Sequence, residues 1–163
     1  MESLSLFLSD SEATDALGRA LAATRPASAV VHLQGDLGAG KSTLARALLR
    51  ALGVQGAIRS PTYTLVERYP IADGEAWHLD LYRIGDAGEL DFLGLDEGSA
   101  TLWLEEWPER GGAGLPACDL WVRLAVEGDG RAVRLEAAGE TGQAWLARLE
   151  KSGQLPRSPV PTV

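Results

Sequence analysis

The sequence is poor in the residues that build disulfides and thiolate or imidazole metal sites. Its 163 residues include one cysteine, Cys118, and two histidines, His32 and His78. A single cysteine excludes an intrachain disulfide and a metal site made of several thiolates. Neither histidine stands at metal-ligand spacing from other ligands, so we expect both to be packed core or surface side chains.

Long apolar runs are also missing. No stretch approaches the roughly 18 apolar residues that a membrane-spanning helix needs. The first four residues lack the basic region and long apolar run of a signal peptide, so we expect a cytoplasmic protein. The length and a hydrophobic content of 45% suit one globular domain. We assign residues 1–152 to that domain and residues 153–163, which are rich in proline, to a disordered tail.

Basic clusters are absent as well. The formal net charge is −8, and the arginines are scattered along the chain. A protein that holds a nucleic-acid backbone unaided usually carries a basic patch or stripe. We therefore expect no direct, tight binding of nucleic acid by this chain alone.

A complete phosphate-binding loop is present at residues 35–42, which read Gly-Asp-Leu-Gly-Ala-Gly-Lys-Ser. An apolar run at 30–34 precedes it as a buried strand, and residues 43–49 follow it as a helix. The glycines let successive backbone N–H groups turn toward phosphate oxygens, and the helix N-terminus adds the positive end of its dipole. This context favours a nucleoside triphosphate site over a chance glycine-rich turn. The predicted nucleotide contacts are Gly35, Asp36, Leu37, Gly38, Ala39, Gly40, Lys41, Ser42 and Thr43, with Lys41 on the β- and γ-phosphates and Ser42 on Mg²⁺.

The order of elements predicts an α/β fold. Ser9 or Asp10 can cap a first helix, and a β-like stretch within 58–66 leads through the turn at 73–74 to a strand at 76–82. A strand at 101–104, a hairpin around 128–130 and a helix at 141–151 follow. We expect a three-layer sandwich like that of P-loop NTPases, with a mixed, mainly parallel sheet and helices on both faces.

Two places offer a carboxylate for the metal that such a site needs. Asp80 stands in an otherwise apolar strand, where an unpaired charge is costly, although an edge strand facing solvent would also accept it. Glu105 and Glu106 end the strand predicted at 101–104, the position where α/β sheets present ligand groups. Only one of two neighbours on an extended strand can face the nucleotide, and alternation does not decide which one. A solvated strand end is the alternative for either residue.

The segment at 60–64, Ser-Pro-Thr-Tyr-Thr, is rich in hydroxyl groups. Ser60, Thr62 and Thr64 are candidates for a switch-like contact with the γ-phosphate. A Ser-Pro turn that leads into a threonine-rich strand explains the same residues without a ligand.

The identity of the nucleotide base is indicated only by the absence of a guanine-specific motif. Guanine-specific proteins usually carry an Asn-Lys-x-Asp element, which this sequence lacks. The Asp-x-x-Gly match at 91–94 follows a helical stretch rather than a strand, so we treat it as chance. Adenine is therefore favoured.

Five motifs together resemble the bacterial TsaE (YjeE) family. They are Gly-Asp-Leu-Gly-Ala-Gly-Lys-Ser-Thr (35–43), Ser-Pro-Thr-Tyr-Thr-Leu-Val (60–66), His-Leu-Asp-Leu-Tyr-Arg (78–83), Glu-Leu-Asp-Phe-Leu-Gly-Leu (89–95) and Glu-Trp-Pro-Glu-Arg (106–110). Their order and spacing match those of the family over roughly residues 10 to 135.

The resemblance implies a small Mg²⁺-dependent ATPase of tRNA threonylcarbamoyladenosine biosynthesis. In that family the ATPase works with the proteins TsaB and TsaD, and ATP hydrolysis to ADP sustains their repeated turnover. TsaD places the threonylcarbamoyl group on N6 of adenosine 37 in tRNAs that read codons beginning with adenine. An acidic chain fits this role, since its target would be a protein.

The resemblance also implies roles for single residues. Lys41, Asp80 and Glu106 correspond to the family's catalytic residues, and Ser42 joins Asp80 and Glu106 at the metal. Trp107 corresponds to a tryptophan close to the nucleotide. Thr14, within 11–14, and Arg131 correspond to positions near adenine.

Two other functions remain open from the sequence. A small-molecule P-loop kinase would need an acceptor pocket and often an arginine-bearing lid, and no arginine-rich insertion is visible. A nucleotide-switched binding module would use the same loop with little hydrolysis.

Overall fold

The computed structural model describes residues 2–95 and 100–156 and contains one seven-stranded sheet. The strands are β1 (Ser3–Leu8), β2 (Ala29–Gln34), β3 (Val66–Ile71), β4 (Gly74–Asp80), β5 (Ala100–Glu106), β6 (Leu120–Glu127) and β7 (Gly130–Ala137). The α-helices are α1 (Ser11–Thr24), α2 (Lys41–Ala51) and α3 (Glu140–Ser152). Short 3₁₀ helices span Ala87–Leu93, Pro108–Arg110 and Gly112–Gly114.

The sheet has the strand order β1-β7-β6-β2-β5-β4-β3. Its four central strands, β6, β2, β5 and β4, pair in parallel. Antiparallel pairs lie at both edges, where the hairpins β3–β4 and β6–β7 and the strand β1 are added. The predicted α/β fold with a mixed sheet is confirmed, and the parallel strands form its centre.

The two faces of the sheet are covered differently. The larger core lies on one face, where apolar side chains of α1, α2 and α3 pack on alternate residues of the strands. The smaller core lies on the other face, where Trp77, Leu79 and Leu81 of the β4 region pack against Leu90 of the first 3₁₀ helix. The α-helical layer therefore lies on one face and the 3₁₀ helices on the other.

Helix α1 begins as the sequence predicts, and of the two possible caps Asp10 is the one used. Its Oδ1 accepts a hydrogen bond from the N–H of Ala13 at 2.9 Å. Gly18 lets α1 approach α2 closely, because a Cβ at this position would lie 2.7 Å from Cβ of Ala47. This packing fixes α2, the helix that follows the phosphate-binding loop.

Three predicted element boundaries are wrong. Residues 61–64 form turns, and β3 begins only at Val66, because the N–H of Leu65 bonds back to the carbonyl of Pro61 at 2.8 Å. Strand β4 ends at Asp80, two residues early, because the N–H of Tyr82 turns back to the Asp80 carboxylate. Strand β5 runs from Ala100 to Glu106, beyond the predicted bounds of 101–104 at both ends, and the two glutamates end it as predicted.

The C-terminal part of the chain is described as far as residue 156. Helix α3 ends at Ser152, Gly153 has a φ of 67°, and Leu155 still packs against the larger core. The rest of the predicted tail, residues 157–163, lies outside the described residues. Within residues 2–95 and 100–156 no helix is both long and apolar enough to cross a membrane.

Candidate nucleotide-binding site

The phosphate-binding loop connects the end of β2 to the start of α2, at the carboxyl edge of the parallel strands. Gly40 has a φ of 107°, a value that glycine adopts readily and other residues avoid. The helix therefore begins at Lys41 directly after a sharp turn, and its N-terminal N–H groups point into a pocket of about 230 Å³. Ligand sites in open α/β sheets lie at this edge.

Lys41 lies across the loop in a largely buried position. Its ammonium group donates hydrogen bonds to the carbonyls of Gly35 and Asp36, the latter at 3.2 Å. The same nitrogen lies 4.5 Å from the ring centroid of Trp107, within the range of a cation–π contact. The loop and Trp107 together hold the cation at the floor of the pocket.

Trp107 adopts a backbone conformation that is rare for a bulky side chain. Its φ is 56° and its ψ is 50°, in the left-handed region, directly before Pro108. Such strain costs on the order of 1–3 kcal/mol and concentrates at functional sites. The conformation brings the indole against Lys41 and to 4.9 Å from the ring of Tyr82.

Ser42 and Glu106 meet beneath the loop. The Ser42 hydroxyl donates to Oε2 of Glu106 at 3.0 Å and lies 3.3 Å from Oε1. Asp80 is the register partner of Glu106 across the parallel β4–β5 ladder, so both carboxylates project from the same face of the sheet. Asp80 and Glu106 are both buried.

Asp80 also anchors the hydroxyl-rich loop. Its Oδ2 accepts a hydrogen bond from Thr62 Oγ1 at 3.3 Å, and its N–H donates to the carbonyl of Leu65 at 3.0 Å. Ser60 lies 2.8 Å from Thr62, hydroxyl to hydroxyl. Thr64 instead bonds to Glu67 on an exposed surface. The structure therefore brings Thr62 to Asp80 and Ser60 only to Thr62.

The donor set fits a magnesium ion. Mg²⁺ prefers oxygen ligands and is commonly held by one or two carboxylates together with substrate phosphates and water. Ser42 and Glu106 supply such oxygens in contact with each other, and Asp80 lies next to Glu106 on the same face. Among residues 2–95 and 100–156, no group of three or more His, Cys, Asp or Glu side chains forms a metal cage.

A smaller pocket of about 190 Å³ continues from Gly40 and Thr43 toward the N-terminal segment. Thr14 and Arg131, the two residues predicted near the base, both line it. Arg131 also holds the loop, because its Nε donates to the carbonyl of Ala39 at 3.1 Å. The geometry therefore gives Arg131 a contact with the loop that the sequence did not predict.

Both histidines pair with the two consecutive glutamates of β5. His78 Nε2 lies 2.6 Å from Oε2 of Glu106, and His32 Nε2 lies 2.6 Å from Oε2 of Glu105. Successive residues of a strand point to opposite faces, so Glu106 lies on the face of the α-helices and Glu105 on the other. Burial raises the pKa of the Glu105 carboxyl, and the neighbouring His32 opposes part of that rise.

A family model described as threonylcarbamoyl adenosine biosynthesis protein TsaE matches residues 8–133 of the chain. The chain belongs to the TsaE family.

Individual TsaE proteins match the chain over most of its length. The protein named tRNA threonylcarbamoyladenosine biosynthesis protein TsaE of Haemophilus influenzae is 44% identical over 116 residues, 70% of this chain and 73% of that protein. The Bacillus subtilis protein of the same name is 32% identical over 143 residues, 86% of this chain and 89% of that protein. A crystal structure of Bacillus subtilis YdiB superposes with a TM-score of 0.77 at 26% identity, covering 93% of this chain and 96% of that one.

Four of the five TsaE motifs meet at one edge of the sheet, whereas the motif at 89–95 packs in the smaller core on the other face. The pocket of about 230 Å³ is bounded by the loop residues 36–43 and by Thr62, Asp80, Glu106, Trp107 and Arg131. Glu106, not Glu105, faces the loop, as the resemblance implies. His78 is the residue of this site that the sequence interpretation missed, since it was expected to be an ordinary packed histidine. Its position two residues before Asp80 on a strand was the available signal, because such residues share a face.

Proposed function

We propose that the chain is a Mg²⁺-dependent ATPase that serves tRNA threonylcarbamoyladenosine biosynthesis. Membership of the TsaE family supports the pathway. The observation that carries the ATPase is the contact of Ser42 with Glu106 beneath the phosphate-binding loop, at 3.0 Å. It couples the loop that would bind the β- and γ-phosphates to the carboxylate that would hold the metal.

Different residues of the site would bind the phosphates, the metal and the base. The loop N–H groups and Lys41 bind the phosphates, and Ser42 and Glu106 hold Mg²⁺ with Asp80 beside them. The metal neutralises charge on the phosphate oxygens when it is bound. Thr62 donates a hydrogen bond to Asp80, and this contact would hold the hydroxyl-rich loop near the γ-phosphate position. The base would occupy the pocket lined by Thr14 and Arg131, where we expect adenine.

We propose the TsaB–TsaD complex as the protein partner. Three large side chains near the mouth of the site are exposed, Leu37 at 68%, Tyr63 at 82% and Tyr82 at 39%. Exposed tyrosines are common energetic centres of protein interfaces. The net charge of −8 would steer the chain to a basic surface. Docking at this mouth would order the loop at 60–65 or supply a group to the phosphates.

Phosphate release tests the proposal. We expect slow hydrolysis of ATP by the chain alone, faster hydrolysis after TsaB–TsaD is added, and a smaller stimulation as salt is raised. A pull-down with TsaB–TsaD in the presence and absence of ATP measures the association directly. Fast turnover that ignores TsaB–TsaD would contradict the partner-dependent role.

A kinase remains a second candidate because of one feature next to the loop. A cleft of about 460 Å³ shares Asp36, Ala39 and Trp107 with the phosphate pocket and extends to Arg123 on β6. An acceptor molecule would bind there in a phosphotransferase. Labelled γ-phosphate distinguishes the two functions, because the ATPase releases it as inorganic phosphate and a kinase transfers it to an organic acceptor.

A further inference from the structure

His78 lies on strand β4, two residues before the strand ends, and contacts the proposed metal ligand Glu106. Its Nε2 lies 2.6 Å from Oε2 of Glu106, and the side chains of both residues are 3% exposed. A contact of this length between an imidazole N–H and a carboxylate is short and charge-assisted. It is therefore among the stronger polar contacts at the site.

The contact limits the positions that the Glu106 carboxylate can take. Oε2 accepts hydrogen bonds from His78 of strand β4 and from Ser42 of helix α2, which are two separate elements of the fold. A glutamate side chain has several rotatable bonds, so a carboxylate with one donor could still swing. With two donors from separate rigid elements, its oxygens are held at the loop.

The second ring nitrogen of His78 indicates which nitrogen carries the proton. Nδ1 is buried and has no hydrogen-bond partner among the described residues. A proton on Nδ1 would leave a buried donor unpaired and would leave Nε2 as a lone pair facing a carboxylate. We therefore assign the proton to Nε2, where it is donated to Glu106.

The pair of His32 and Glu105 provides a comparison on the same strand. Its nitrogen–oxygen distance is also 2.6 Å, and the Glu105 side chain is fully buried. Glu105 lies on the face of β5 opposite Glu106, and the ring of His32 packs against that of Trp121. The contact lacks hydrogen-bond alignment, since the Glu105 oxygens remain without a hydrogen-bond partner among the described residues.

We infer that His78 is a positioning residue for the metal site: it donates to Glu106 and holds that carboxylate toward Ser42, where Mg²⁺ would bind. This inference rests on the proposed Mg²⁺–nucleotide function. Groups that orient metal ligands typically change metal affinity by about 10- to 100-fold when they are removed. Loss of the His78 donor should therefore raise the Mg²⁺ concentration required by the site by about that factor.

The test uses binding in place of turnover. Calorimetric titrations of ADP into the full chain, at a series of Mg²⁺ concentrations, give the concentration at which the Mg²⁺-dependent gain in affinity is half complete. His78→Leu removes the donor and keeps an apolar side chain of similar size. In His78→Gln the amide reaches as far as Nε2 does, whereas in His78→Asn it stops short. His32→Leu is the matched control from the other face of β5.

We call the Mg²⁺ concentration at which the gain in ADP affinity is half complete the half-point. We expect it to rise about 10- to 100-fold in His78→Leu and His78→Asn. It should be largely restored in His78→Gln and unchanged in His32→Leu, with Mg²⁺-free ADP affinity similar in all four. An unchanged half-point in folded His78→Leu overturns the inference, and so does an equal rise in His32→Leu. If His78→Leu does not fold, the comparison of His78→Asn with His78→Gln decides, and equal half-points overturn it.

The wild-type titration separates this inference from the proposed function. If Mg²⁺ does not strengthen ADP binding to the wild-type chain, the proposed Mg²⁺–nucleotide function fails first. If Mg²⁺ strengthens it in the wild type and equally at the same concentrations in every His78 variant, only the role of His78 fails.

Discussion

Asp80 and Glu106 are register partners across the parallel ladder of β4 and β5, so their carboxylates project from the same face at the edge where the phosphate-binding loop lies. They differ in their contacts. Glu106 accepts the Ser42 hydroxyl, whereas Asp80 accepts Thr62 and the N–H of Tyr82. One carboxylate is therefore joined to the loop helix and the other to the hydroxyl-rich segment.

Amide replacements test this pair. Asp80→Asn and Glu106→Gln keep the shape of each side chain and remove its charge. A metal held by these groups supplies several kcal/mol of transition-state stabilisation, so we expect kcat for ATP hydrolysis to fall about 100-fold or more, well beyond any loss of nucleotide affinity. Glu105→Gln, the neighbour on the opposite face, is the control. A crippled Glu105→Gln beside a normal Glu106→Gln would reverse our choice of face.

Lys41 should matter for affinity and little for folding. Its ammonium donates hydrogen bonds to two loop carbonyls and lies over the Trp107 ring. A charge-assisted contact with phosphate is worth about 1.5–3 kcal/mol, so Lys41→Ala should weaken ATP binding at least about tenfold while circular dichroism stays native. Lys151→Ala, at an exposed position near the end of α3, should bind ATP normally. ATP hydrolysis at the wild-type rate in Lys41→Ala would show that this loop does not form the ATP site.

Thr62 and Thr64 offer a matched pair within the hydroxyl-rich loop. Thr62 bonds to Asp80, whereas Thr64 bonds to Glu67 on the exposed side. Valine keeps the branched shape and removes the hydroxyl. Because a hydrogen bond to a charged group is worth about 1.5–3 kcal/mol, we expect Thr62→Val to slow phosphate release about tenfold or more and Thr64→Val to change it less than about threefold. Equal effects of the two substitutions would mean that the contact with Asp80 does not organise this loop.

Local patterns were sufficient to predict the loop, the helix after it and the capped helix α1. Glycine spacing, flanking apolar runs and a helix cap at Ser9 or Asp10 each act within a few residues, so they can be recognised from the sequence. The α/β class followed from the alternation of elements. The start of β3 was missed because Leu65 takes a positive φ of 71° in a turn, which β-propensity does not anticipate for leucine.

The contacts between strands were harder to predict. Alternation along the strand shows that Glu105 and Glu106 face opposite sides of the sheet. Which of the two faces the phosphate-binding loop depends on the strands that flank β5, and these come from distant parts of the chain. The role of His78 was hidden for the same reason, since its partner lies 28 positions away. Arg131 reaches the loop across 92 positions, so its contact with Ala39 also required the fold.

Glu105 gives a stability prediction with a defined direction in pH. Burial raises its pKa in the folded chain above the ordinary value of 4.5, and the contact with His32 offsets only part of this. The folded state therefore holds this proton more tightly than the unfolded state does. The stabilising contribution of this proton to the free energy of unfolding is complete below pH 4.5 and is lost as pH rises through the raised pKa.

Glu105→Gln removes this titration while it keeps the size of the side chain. We expect the free energy of unfolding of the variant, relative to the wild type, to rise as pH increases from about 4.5 and then to level off. Urea unfolding at a series of pH values measures the difference. Glu150→Gln, at an exposed position of α3, is measured in parallel to account for the loss of one formal charge. A difference between Glu105→Gln and the wild type that stays constant from pH 4 to pH 8, or falls as pH rises, would show that burial does not control the protonation of Glu105.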